Sequence, residues 1–154
     1  GQLRANPANA PLLSQAMTAI DDLEAGKRID VTGLPQPLAI LFRPSIQGFL
    51  VDAFARDPVK LIASVQRPVL IVQGGRDIQV GLDDAHALAK AQPAAKLVIL
   101  PTLNHVLKVV ATDERAANVA TYAAPDLPLA AGLADAIATF IKAAPAPSLP
   151  AAKQ

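Results

Sequence analysis

The sequence predicts a mixed α/β fold, and three observations predict it. Pro68–Gln73 (PVLIVQ) and Lys96–Leu100 (KLVIL) are short, continuous apolar runs rich in β-branched residues, bounded by Pro or Gly. That is the pattern of strands buried on both faces. Between them, Leu82, Ala85, Leu88 and Ala89 fall at helical spacing over Leu82–Ala91, and Pro93 closes the run. Two strands joined through a helix form a βαβ unit, so they are expected to lie parallel with a right-handed crossover.

The elements around this unit follow in chain order. Gly1–Pro11 is polar, contains Pro and Asn, and reads as a loop. Leu12–Ala25 reads as a helix with Leu12, Leu13, Ala16, Met17, Ile20 and Leu23 on one stripe, ended by Gly26. Ile29–Pro37 is a turn-rich connector. Leu38–Phe42 (LAILF) fits either a helical turn or a strand, since periodicity does not separate them over so short a run. Pro44 can open a helix whose face is Ile46, Phe49, Leu50, Ala53 and Phe54. Asp57 can cap another, with Pro58 in its first position, running to about Val65.

Beyond the second strand come Leu107–Ala111, a polar stretch Thr112–Asn118, and an extended loop containing Pro125 and Pro128. Gly132–Ala143 reads as a helix with Leu133, Ile137, Phe140 and Ile141 inward. Pro145–Gln154 is Pro/Ala-rich and expected to be disordered. The expected organisation is a helical segment over 1–66, a strand-bearing segment over 67–144, and a tail over 145–154. Two strands alone leave sheet edges open and faces uncovered. The chain is therefore expected to be part of a larger sheet, completed by other residues or another polypeptide.

Composition narrows the function classes. Apolar residues make up 52% and aromatics 3%, which argues against stacking on nucleic-acid bases or sugars. A formal net charge of +1 gives no electrostatic footprint for nucleic acid or an anionic membrane. No apolar run is long enough for a transmembrane helix. The absence of cysteine excludes disulfides, thiolate zinc sites and a cysteine nucleophile. Two histidines without acidic partners at ligand spacing make no metal cage, and no phosphate-binding glycine loop occurs, so neither metal nor cofactor is expected.

Two residues stand where chemistry gathers in α/β sheets, beyond the C-terminal ends of the strands. Asp77 follows the first strand and His105 the second. Singly, Asp77 reads as a turn aspartate and His105 as a loop histidine. Jointly, on adjacent parallel strands, they are an acid and a base positioned to meet. His86 reads as a surface residue, Asp83 and Asp84 as helix-start carboxylates, and Asp113, Glu114 and Asp126 as solvated.

The run V-L-I-V-Q-G-G-R-D-I-Q-V, a helix with A-x-x-L-A, and K-L-V-I-L-P-x-x-N-H together resemble the C-terminal part of an α/β-hydrolase. The resemblance implies that Asp77 is the acid and His105 the base of a Ser-His-Asp triad, in the family's chain order. Asn104 would help place the histidine loop. The family's nucleophile elbow, G-x-S-x-G, occurs nowhere around Ser14, Ser45, Ser64 or Ser148. The chain thus looks like a C-terminal portion of that fold. The segment L-F-R-P-S-I-Q-G-F-L-V-D-A-F-A-R-D-P resembles the end of a helical lid in lysophospholipase-like and serine-aminopeptidase-like members. In that reading Phe42, Phe49 and Phe54 line the substrate; the same residues also read as helix-packing core. The implied substrate is a small-molecule carboxylic ester, less readily an amide. The implied partner is a nucleophile-bearing N-terminal half, or a second copy paired through the open sheet edge.

Overall fold

The computed structural model describes residues 9–145, and these form a mixed α/β structure of helices and a two-stranded parallel sheet. The chain divides into two compact units between Pro58 and Val59.

The first unit contains helices α1 (Ala10–Glu24), α2 (Gln36–Leu41) and α3 (Pro44–Phe54). Pro11, expected in a loop, lies in the first turn of α1, where its missing N–H breaks no helical bond. At the other end Gly26 takes φ +78°, so its N–H reaches Leu23 O at 3.0 Å and Lys27 N reaches Asp22 O at 2.9 Å. This left-handed cap satisfies two of the helix's last carbonyls. Leu38–Leu41 is helical and Phe42 caps its end, with Pro35 at the N-cap and Pro37 in the first turn presetting the entry to α2.

Ala16, Ala19 and Leu23 of α1 pack with Leu38 and Phe42 as the buried core of this unit. Met17, expected on that stripe, is 40% exposed, and Phe49, expected on the inner face of α3, is 72% exposed. The polar Gln47 takes an inner position instead. Its amide accepts from Ile29 N at 3.0 Å and donates to Ile29 O at 2.9 Å and Phe42 O at 2.8 Å. Gln47→Ala would strand these backbone groups, and is expected to destabilise the unit by about 1–3 kcal/mol, read as a lowered urea midpoint.

The second unit contains α4 (Pro58–Ala63), β1 (Leu70–Gly74), α5 (Leu82–Ala91), β2 (Lys96–Leu100), α6 (Arg115–Ala120), a 3-10 turn (Thr121–Ala123) and α7 (Leu133–Ala143). β1 and β2 pair in parallel, from Leu70 opposite Lys96 to Gly74 opposite Leu100. Helix α5 supplies the crossover and packs on the sheet. Gln92, just past α5, donates to Ile62 O and Val65 O, fastening the end of α4 to the N-terminal edge of the sheet.

Several expectations need correction here. Neither strand is buried on both faces: Leu70, Ile71 and Val72 are half-buried, and Lys96 and Ile99 are exposed. Helix α5 packs on the sheet, and among the described residues no third strand joins it. The stripe of α7 does not turn wholly inward either; Leu133 is buried, but Ile137 and Ile141 are 40% and 65% exposed. The polar stretch Thr112–Asn118 runs into α6, and the loop after it opens with the 3-10 turn. The expected tail lies outside the described residues beyond Pro145. Among the described residues no helix is long and apolar enough to cross a membrane.

Candidate active site

Because β1 and β2 end in register, the chain leaves both at one edge of the sheet. The two exits touch through backbone. Gly75 N donates to Leu100 O at 2.9 Å, and Arg76 N to Leu103 O at 3.0 Å. A Cβ on Gly74 would stand 2.3 Å from Leu103 O, and one on Gly75 would stand 2.6 Å from Pro101 O. The glycine pair is there because nothing larger fits.

The turn after β1 is built around Asp77. Its Oδ1 accepts from the N–H groups of Gln79 at 2.8 Å and Val80 at 2.9 Å. Gln73, a buried polar residue at the end of the strand, donates to Val80 O at 3.0 Å and ties the turn's far end back to β1. The role of a turn aspartate is therefore real, and it uses one carboxylate oxygen.

The other oxygen faces His105. After β2 the chain makes a tight hairpin, with Leu103 and Val109 bridged antiparallel. Asn104 N donates to Lys108 O, and Lys108 N returns a bond to Asn104 Oδ1, both at 3.0 Å. Leu107 adopts φ 62° to close the turn, and Ala130 N bonds to its carbonyl at 2.9 Å. His105 rides on this hairpin with its Nδ1 3.0 Å from Asp77 Oδ2. The side chain of Asp77 is 9% exposed and that of His105 is 40% exposed.

The charge state of the pair follows from the surroundings. Burial pushes the Asp77 carboxyl up, but bonds from Val80 N, Gln79 N and the His105 ring outweigh it and hold the group below its ordinary 3.8. An ionised carboxylate only accepts hydrogen bonds, so His105 Nδ1 must carry the proton. Nε2 is then the basic nitrogen of the ring. Chemically, the arrangement can take a proton at Nε2 while the carboxylate stabilises the resulting imidazolium.

The other residues singled out from sequence take these places. Phe42, Phe49 and Phe54 belong to the first unit; Phe42 is 3% exposed within its core, and Phe54 is 37% exposed. His86 is exposed on α5, and Asp84 accepts from Gly81 N at the start of that helix. Asp113 is solvated at 95% exposure but also lies 3.3 Å from Arg76 Nη2. Ser64 Oγ donates to Leu61 O, while Ser14 and Ser45 sit on α1 and α3. Among the described residues no group of three or more His, Cys, Asp or Glu could hold a metal ion.

Sequence reading missed Asn118, Thr121 and Gln73. A polar residue closing an otherwise apolar strand was the available signal for Gln73. Asn118 had none, lying in a stretch that reads simply as polar. No protein-family model, curated protein or solved structure matches the chain.

Proposed function

We propose that this chain supplies the acid and the base of a serine hydrolase of the α/β-hydrolase type, acting on carboxylic esters. The observation that carries the reading is the 3.0 Å contact between Asp77 Oδ2 and His105 Nδ1, made beyond the ends of two parallel strands. No G-x-S-x-G occurs in these 154 residues, so the nucleophile stands outside them. His105 Nε2 takes the proton of that serine as its oxygen attacks the ester carbonyl. It then gives the proton to the departing alcohol. Water repeats the cycle on the acyl-serine, releasing the acid. Asp77 orients the ring throughout and stays ionised.

A second reading is favoured by the exposed face of α7 and the half-buried strands. The chain would then self-associate through its open sheet and catalyse nothing.

The test is fluorophosphonate labelling and ester hydrolysis on the protein isolated from its source with whatever accompanies it. Labelling is expected on a serine outside this sequence, and His105→Ala should abolish both labelling and turnover. Label on any of the four serines of this sequence, or undiminished labelling after His105→Ala, would sink the hydrolase reading. A homodimer with no labelled serine would establish the second.

A further inference from the structure

An acid and a base carried on separate loops hold their geometry only as well as the loops hold each other. The His105 hairpin needs such help. Its imidazole is 40% exposed, and Leu107 takes a left-handed backbone that is strained for a residue with a Cβ. The Asp77–His105 bond is a single contact, and the backbone bonds between the exits, Gly75 N to Leu100 O and Arg76 N to Leu103 O, stop short of both functional residues.

One side chain spans both loops. Asn118, on α6, donates from Nδ2 to Arg76 O at 2.7 Å, the carbonyl immediately before Asp77. Its Oδ1 accepts from Asn104 Nδ2 at 3.1 Å, the side chain immediately before His105. Both asparagines are buried, at 4% and 1% exposure.

Asn104 spends its whole amide on this network. Its other Nδ2 hydrogen goes to Thr121 Oγ1 at 2.6 Å, and its Oδ1 accepts from Lys108 N and closes the hairpin. The Thr121 hydroxyl itself donates to Asn118 O at 2.7 Å. A buried amide whose partners were all local would be a packing device. Here the partners lie on two different loops, each one residue from a functional side chain. A buried, well-satisfied network of this kind favours one arrangement over its alternatives.

We propose that Asn118 is a positioning residue, clamping the acid loop to the base loop so that His105 is held in its Nδ1–H form against Asp77. The inference rests on the reading of Asp77 and His105 as an acid–base pair, and does not depend on which serine they serve. It assigns no contact with substrate to Asn118.

The experiment is nitrogen NMR of the imidazole rings in the ¹⁵N-labelled 154-residue chain, at mildly alkaline pH. The sequence has 2 histidines, and His86, exposed on α5, serves as the internal reference. In the unmodified chain His105 should show more Nδ1–H than His86. Asn118→Ala is expected to lower the Nδ1–H population of His105 by about twofold or more, with His86 unmoved. Thr121→Ala removes one strut of the same network and should shift His105 less, in the same direction. It carries the test if Asn118→Ala does not fold.

Gln92→Ala is the comparison for general loosening, since it removes a partly buried amide at the far edge of the sheet. It should lower stability and leave His105 alone. A folded Asn118→Ala with an unchanged His105 would overturn the clamp. So would an unmoved Thr121→Ala where the first variant is unfolded, or a Gln92→Ala that shifts His105 equally. The readout needs no turnover. Failure of the serine labelling test would leave the clamp standing, and an unmoved His105 would leave the acid–base reading standing.

Discussion

In the proposed hydrolase, Asp77→Asn is expected to cut turnover by about 10⁴-fold while leaving the chain folded. An asparagine side chain still bonds to the two turn N–H groups that Asp77 Oδ1 now satisfies, so the turn survives. What changes is the group facing His105. An amide NH₂ donates to Nδ1, which forces the ring proton onto Nε2 and leaves no base for the serine. The countercharge for the imidazolium is lost as well. Steady-state ester kinetics on the two proteins decides the matter; unchanged turnover would remove Asp77 from the mechanism.

The same substitution has a second, independent readout in acid. The folded carboxyl of Asp77 titrates below its ordinary 3.8, so as pH falls the unfolded chain takes up this proton first. The stabilisation Asp77 provides is therefore complete above the ordinary carboxylate value and is lost as pH drops through the folded value. Asp77→Asn has no such proton to bind, and its stability should decline less steeply below about pH 4. Urea midpoints measured across the acid range compare the two slopes directly.

Gly74→Ala is expected to destabilise the second unit by about 3 kcal/mol, the upper end of ordinary overpacking costs. The reason is the identity of the obstacle. A Cβ there meets Leu103 O at 2.3 Å and Leu103 C at 2.8 Å, and a backbone carbonyl cannot rotate aside as a side-chain tip can. Relief requires the two strand exits to separate, which stretches the bonds Gly75 N–Leu100 O and Arg76 N–Leu103 O. Gly33→Ala is the matched control, because its Cβ would meet nothing within 4 Å. Equal urea midpoints for the two alanine variants would refute the close-approach argument.

Much of this arrangement was legible in the sequence, for identifiable reasons. Helices α3 and α5 and strand β2 declared themselves because their signals are local: an opening proline, a helical stripe, a β-branched run stopped by Pro101. The meeting of Asp77 and His105 was legible because parallel strands joined by a helix must end on the same side. Leu38–Phe42 was undecidable, since a single turn carries too little periodicity; the prolines that open α2 and the packing of Leu38 and Phe42 with α1 decide it.

Three other features depend on distance partners that no local pattern reveals. The glycine pair read as a strand stop, whereas its physical requirement is the approach of residues 101–103. The outward face of α7 carries the same residue types as an inward one, and only the absence of a covering layer among the described residues separates them. Asn118 is one polar residue in a polar stretch, and its partners Asn104 and Arg76 are set by the tertiary fold.

Asp77 and His105 lie only 28 positions apart along the chain, within a single strand–helix–strand segment and the hairpin after it. In the proposed reading, two of the three groups of the triad therefore sit on one contiguous stretch of chain. A cut in the chain on either side of this segment leaves the acid and the base on one piece with the glycine contact between their loops, while the Asn118 clamp lies beyond it. In that reading the serine, outside these residues, has no such linkage.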